Sequence, residues 1–458
     1  MAEGLRAEAQ LCAEVLQRWY RADSYADATG LYRYEDPAIQ GWQRRVLQVT
    51  GRLNDTQDTS RWWNNANAIT ALIGYMVATS DHSYLPSVSY MHGNAPRAYT
   101  LDAKKLVVTS AAGAAVGAGL GAVARRISGS RKPAAVGGVS GLLVGGASSA
   151  VRGARVYFSD FIGEYYDDMG WWALAWIAAY DLTGQAKYLA SAQRIFDEMT
   201  TGWDDAWGGG VYWRDDRQGP GGWPGTVYKN AITNEQFIAI AAGLAVRTKN
   251  PDAAAALKDW ALRAWRWFSE APPHGVAMIN AAGLVNDSPN AAGVNDNTHT
   301  IWTYNQGVIL GGLCELATLT TDDGYVQRAE SIADAFIVTP VASAAQVPTP
   351  ASSGVIDGIL HERTDSDPTG TKAAPGGVPI DGAQFKGIFI RNLARLYQRT
   401  GKDAYREFIV RNARTAASFA RDGAYGANWA APPDATDFVR QSCALDLLAA
   451  AVLVSQAR

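Results

Sequence analysis

The feature that most constrains this chain is an alternation of two kinds of helix. Strongly apolar segments fall at 62–79, 169–181, 231–246, 304–318, 385–398 and 441–456, and more amphipathic ones alternate with them, beginning with LRAEAQLCAEVLQRWY at 5–20. Short turns marked by Thr or Gly follow the apolar helices: ATSDHSYL at 78–85, LTGQAKYL at 182–189, RTKNPDAA at 247–254, LTTDDGYV at 319–326 and RTGKDAYR at 399–406. A helix pair of this kind cannot bury its apolar face alone and must stack on its neighbours. Six pairs that close on themselves predict an all-α fold, with an inner ring of buried helices inside an outer ring of amphipathic ones. The connections from outer to inner helix are long: 21–61, 98–166, 201–229, 270–302, 338–384 and 422–440. All of them must lie on one face, at the N-termini of the inner helices, and long loops on a rigid scaffold are where binding and catalysis concentrate.

One of those N-termini carries YYDDMGWWALAW, residues 165–176. Asp167 and Asp168 by themselves read as a helix start, because Asp favours the N-cap and the first turn, where it meets the helix dipole. Paired carboxylates beside aromatic rings are also what a sugar-cleaving site needs: an acid, a nucleophile or base, and flat faces on which sugars stack. The other long loops bring similar material. TGWDDAWGGGVYW (201–213) holds Trp203, Trp207, Gly209, Tyr212 and Trp213, and KNAITNE presents Asn230, Asn234 and Glu235. NDNTHTIWTYNQG holds Asp296, His299, Trp302, Tyr304, Asn305 and Gln306, and IDGAQFKG holds Asp381, Gln384 and Lys386. Tyr166, Trp171 and Trp172 flank the acid pair itself. Any one of these reads as a cap or a packed ring; their convergence on one rim predicts a polar and aromatic groove.

Composition narrows the function classes. With 458 residues, 48% hydrophobic and 19% charged, the chain is globular with a large core, and a net charge of −3 gives no basic footprint for nucleic acid. The 16 Trp and 20 Tyr suit a carbohydrate groove. Cys12, Cys314 and Cys443 are widely separated and odd in number, so no disulfide framework and no metal-ligand spacing emerges. No cofactor or metal is expected. Five histidines without a visible cluster argue against a helical-toroid epimerase. The start, MAEGLRAEAQ, has no apolar signal-peptide region, which leaves a cytoplasmic location, membrane association or an unseen export route open.

YYDDMGWWALAW, GWDDAWGGGVYW, KNAITNE, WTYNQG and FKGIFIRNL occur in the order they have in glycoside hydrolase family 76, and the chain resembles that family over roughly 60–450. The resemblance implies an (α/α)6 barrel, in agreement with the helix count. It also implies a retaining endo-glycosidase acting on α-1,6-mannosidic linkages, with Asp167 as nucleophile and Asp168 as general acid/base. A mannan transglycosylase using the same glycosyl-enzyme intermediate and a noncatalytic, membrane-associated mannan-binding protein are the alternatives.

Residues 104–155 interrupt the family pattern, dividing a barrel of 1–103 and 156–458. VVTSAAGAAVGAGLGAVA (107–124) and AAVGGVSGLLVGGASSAV (134–151) carry glycine at every fourth position, at Gly113, Gly117, Gly121, Gly137, Gly141 and Gly145. Such spacing lets two helices approach closely, as in membranes, and each run has about the length that crosses a bilayer, ~17–25 residues. The runs are only weakly apolar, and glycine disfavours a helix in water by about 1 kcal/mol each relative to Ala. The two expectations are a weakly packed surface insertion and a hairpin that contacts a membrane or self-associates through 106–151.

Overall fold

The computed structural model describes residues 2–20, 29–32, 62–97, 99–101, 155–217, 227–295, 300–338, 353–362, 365 and 381–456. Among these residues the chain forms α1 (Ala2–Leu16), α2 (Trp62–Thr79), α3 (Leu85–Asn94), α4 (Tyr166–Thr183), α5 (Ala186–Thr201), α6 (Ala231–Arg247), α7 (Pro251–Ser269), α8 (Thr303–Thr320), α9 (Gly324–Val338), α10 (Gly382–Thr400), α11 (Asp403–Phe419) and α12 (Phe438–Gln456). The even-numbered helices pack consecutively against one another, and α12 returns to α2, so the inner ring closes. The outer helices α3, α5, α7, α9 and α11 each follow an inner helix, and α1 covers α12 as the sixth outer member. The expected barrel is therefore present, with its first outer helix seated on its last inner one.

The two rings differ as their sequences do. Nearly every residue of α6 and α12 is buried, polar ones included, whereas α5, α7 and α11 bury one stripe. Helix α12 is long and apolar enough to cross a membrane, yet it is buried within the ring. Its composition is that of a core helix. Inner helices end where glycine accepts the left-handed conformation, at Gly184 (φ 67°) after α4 and Gly401 (φ 63°) after α10. The next helix then starts within a few residues, which is why this end of the barrel has short turns.

At the other end two small ribbons hold the long connections. Strands β1 (Tyr99–Leu101) and β2 (Arg155–Tyr157) pair antiparallel, with Tyr99 opposite Tyr157. They bring together the two ends of the glycine-rich segment, whose own runs lie outside the described residues. Strands β3 (Gly354–Ile356) and β4 (Ile359–His361) form a hairpin whose two turn residues, Asp357 (φ 51°) and Gly358 (φ 79°), both take the positive φ that a tight two-residue turn demands.

Candidate active site

Helix α4 begins at Tyr166, three residues before its apolar run, and this moves the acid pair into the first turn. The cause is tertiary. Tyr165 is extended, and the Tyr166 amide donates to the Trp213 carbonyl at 3.0 Å, while the Asp215 amide donates to Glu164 and the Trp213 amide to Tyr228. The stretch 213–215 thus lies between the starts of α4 and α6 and fixes both. Asp167 and Asp168 become the second and third helical residues, where the unpaired amides and the dipole of the helix favour negative charge.

The same stretch aims an indole at the pair. Trp213 Nε1 donates to Asp167 Oδ2 at 2.9 Å, and the Asp168 amide donates to Asp167 Oδ1 at 3.0 Å. Trp213 is held edge-on by Tyr165 (centroids 4.9 Å apart) and Tyr228 (5.7 Å). Burial pushes both carboxyls well above the ordinary carboxylate range, and Asp381 at the start of α10 adds its negative field to each. For Asp168 the charge of Asp167 raises it further, whereas the two donated hydrogen bonds pull Asp167 back down. The two carboxyls are thus set apart: donated hydrogen bonds favour the ionised form of Asp167, and the charge of Asp167 favours the protonated form of Asp168.

Beneath the pair lies an aromatic floor built from several inner helices. Trp171, three and four residues after the acids, shares their helix face. Its ring neighbours Trp63 of α2 (5.9 Å) and Tyr304 of α8 (6.3 Å), and Tyr304 stacks flat on Phe385 of α10 at 3.9 Å. Trp302, half-buried at the N-cap of α8, stands edge-on to Phe385 at 5.5 Å. Glu235 of α6 is fully buried, and neither of its carboxylate oxygens has a hydrogen-bond partner, so burial drives it toward the protonated form, with Asp287 adding to the effect. The side-chain amide of Asn305 is likewise buried without a partner.

Other rim residues expected to bind ligand have partners within the fold, several of them because long loops buried on a barrel face need polar partners for their backbones. Asn234 accepts from and donates to the Val211 backbone, and Gln306 does the same for Val285. Asn230 caps α6 through the Thr233 amide, and Gln384 bonds Ser442 and Asn64 between inner helices. Lys386 is fully buried, 2.6 Å from Asp365 and bonded to the Ala427 carbonyl. Tyr166 turns to Thr201 of α5, and Tyr212 to Asp204. Trp172 joins Trp62, Phe161 and Trp176 in the core, where truncation to Ala would cost about 3–5 kcal/mol. Trp203 packs on Phe237 and Trp260, and Trp207 packs where a Cβ on Gly293 would come within 2.5 Å of its ring. Gly209 (φ 137°) gives its carbonyl to Lys229, a buried ammonium that also binds the Asp204 carboxylate and the Ala206 carbonyl. Asp296 and His299 lie outside the described residues.

Sequence reasoning missed Trp63, Tyr228, Asp287 and Phe385. Tyr228 stands immediately before KNAITNE and bonds Asp287 at 3.3 Å, so extending that motif by one residue would have found it. Trp63 and Phe385 look like core residues in sequence.

A profile of glycosyl hydrolase family 76 matches residues 155–458. A mannan endo-1,6-alpha-mannosidase DCW1 of Eremothecium gossypii is 30% identical over 180 residues, covering 36% of this chain and 36% of the relative. The chain thus spans little more than a third of that relative's length. Among solved structures, an inactive variant of an alpha-1,6-mannanase of Salegentibacter sp., with two consecutive aspartates replaced by asparagine and alpha-1,6-mannotriose bound, is 19% identical with a TM-score of 0.61, covering 98% of this chain and 99% of that one. Dfg5 from Chaetomium thermophilum in complex with glucosamine is 16% identical with a TM-score of 0.64, covering 100% and 92%. Both share the fold.

Proposed function

Because the chain belongs to glycosyl hydrolase family 76, we propose that it is a retaining endo-glycosidase that hydrolyses α-1,6-mannosidic linkages in mannan or mannose-rich glycoconjugates. The observation that carries the reading is the unequal acid pair: Asp167 held by two donated hydrogen bonds, and Asp168 beside it with none among the described residues. A retaining mechanism needs one ionised and one protonated carboxyl close together. Asp167 attacks the anomeric carbon while Asp168 gives its proton to the leaving glycosidic oxygen. Asp168 then takes a proton from water, whose oxygen attacks the same carbon and releases Asp167. Trp63, Trp302 and Tyr304, half-buried above the buried ring of Trp171, supply faces for sugar rings, and Glu235, kept neutral by burial, is a hydroxyl donor in reserve behind them. The Salegentibacter alpha-1,6-mannanase variant that is inactive carries its replacements at two adjacent aspartates, which supports the same assignment.

The test is incubation with unbranched α-1,6-mannan and with mannooligosaccharides, with products sized by chromatography. Internal cleavage is expected; an unchanged substrate refutes the activity. Products longer than the substrate would identify transfer to sugar in place of water. An Asp168 variant rescued by azide is expected to release glycosyl azide; its anomeric configuration reports whether Asp167 forms the covalent intermediate.

A second proposal concerns 106–151. The β1–β2 pairing closes the ends of this segment at a connection leading into α4, which supports a hairpin projecting from the mouth toward a membrane or a second copy of the chain. Deletion of 106–152 is expected to leave cleavage of soluble mannan intact and to release the protein from membranes. Wild-type protein found wholly in the soluble, monomeric fraction would remove this idea.

A further inference from the structure

The barrel axis holds a cavity of about 300 Å³ at the end opposite the acid pair. Residues of all six inner helices line it, and it reaches the surface beside Val77 and Arg395, which are half-exposed. The aromatic floor divides the two ends: Trp171, one turn below the aspartates, also forms the inner wall of this cavity. The space exists because small residues stand where large ones would fit. At Gly74 of α2 an added Cβ would meet no atom within 4 Å.

The polar groups in the cavity are unusually balanced. Arg391 donates to Asp446 at 3.1 Å and to Asn67, which leaves its other N–H donors without a hydrogen bond among the described residues. Among the same residues Arg395 has only the carboxylate of Glu315, 3.9 Å away. Arg247, just behind the wall, grips Glu315 and Asp181 with two hydrogen bonds each. Three guanidiniums thus face three carboxylates. An anion would meet the acids, a cation the arginines, and a purely apolar ligand would strand the donors of Arg391. Hydroxyl groups, which donate and accept, match such a surface, and the aliphatic walls from Leu174, Val308 and Leu453 suit the C–H faces of a sugar. The volume lies at the small end of ligand pockets, roughly 300–1,000 Å³.

The geometry points to a second binding site, separate from the acid pair, for a neutral polyhydroxylated ligand of one or two sugar rings. Calorimetric titration with mannose and with α-1,6-mannobiose tests it, comparing wild type with Gly74→Leu, which fills the cavity, and Val77→Trp, which covers its mouth. Gly74→Leu should fold, since leucine favours a helix over glycine by about 1 kcal/mol and enters open space. The wild type is expected to bind with a component that both variants weaken at least tenfold, while their turnover of mannan stays within about twofold. Identical isotherms in all three proteins, or heat from inorganic phosphate but from neither sugar, would overturn the site. The readout is binding, so failure of the protein to cleave mannan would refute the proposed activity and leave this test standing.

Discussion

Glu315 at the rear of the barrel and the acids Asp167, Asp168 and Glu235 at its mouth are treated in opposite ways, although the same six helices build both ends. At the rear, Asp181 and Glu315 share the fork of Arg247, and Glu315 is held below the ordinary glutamate range despite its burial, with the hydrogen bonds of Arg247 and the charge of Arg395 opposing that burial. At the mouth, Asp167, Asp168 and Glu235 have no ion pair among the described residues, and burial drives all three upward. The difference is one of purpose. Paired acids tie helices together and give up their chemistry; unpaired acids weaken the fold and keep protons to trade. The rear has short turns that fix the arginines in register. The mouth has long loops whose own carboxylates and carbonyls take up the buried lysines: Lys229 pairs with Asp204 and binds the Ala206 and Gly209 carbonyls, and Lys386 pairs with Asp365 and binds the Ala427 carbonyl.

Replacing either mouth acid should give the largest change. Asp167→Asn and Asp168→Asn are each expected to lower hydrolysis of α-1,6-mannan by at least roughly 10³-fold, the range of acid–base catalysis. Helicity by circular dichroism should be unchanged, because neither carboxyl holds an ion pair among the described residues. Near-normal turnover in either variant would end the distinction between the two ends. Arg247→Met at the rear should do the reverse. Glu315 would lose its strongest partner and the more exposed Asp181 its clamp, a loss of about 2–3 kcal/mol after allowing for solvent at Asp181. Urea unfolding reads that loss, and kcat of the folded fraction should not move.

How much of this contrast was legible in the sequence follows from where each part is encoded. The ring was legible because helix period and turn spacing are local, and six repeats average out errors at individual ends. The position of the mouth followed from loop length alone. The start of α4 was not legible, since the apolar run begins at Met169 while the helix begins where the Trp213 carbonyl takes the Tyr166 amide. The internal partners of the rim amides were not legible for a related reason. An Asn or Gln at an inner-helix N-terminus looks the same in sequence whether its partner is a sugar or the backbone of a buried loop, and at Asn234 and Gln306 the loop occupies it. Phe385 and Trp63 escaped notice because a ring that floors a groove and a ring in the core share one pattern.

Trp213 tests what makes the acids unequal. Its indole stabilises the ionised form of Asp167, so Trp213→Phe should raise that carboxyl further and move the acidic limb of the pH–rate profile to higher pH. Below that limb activity should fall roughly ten- to a hundredfold, the worth of a hydrogen bond to a charged group. An unmoved limb would mean that the helix N-terminus alone sets the inequality.

Glu235 gives the smallest and most specific test. Its folded-state pKa lies well above the ordinary glutamate value of 4.5, so its contribution to stability is fully present below about that pH and is lost as pH rises toward the folded value. Glu235→Gln keeps the shape and removes the titration. At about pH 4 the variant and wild type should differ by less than about 1 kcal/mol, since both then carry a neutral side chain with no hydrogen-bond partner. As pH rises above the ordinary glutamate value of 4.5 the wild type should lose urea resistance relative to the variant, and the gap should widen steadily toward the raised folded value. A gap independent of pH would show that the fold leaves the Glu235 pKa at its unfolded value, and a gap that closes as pH rises would show Glu235 ionised and paired, as Glu315 is at the rear.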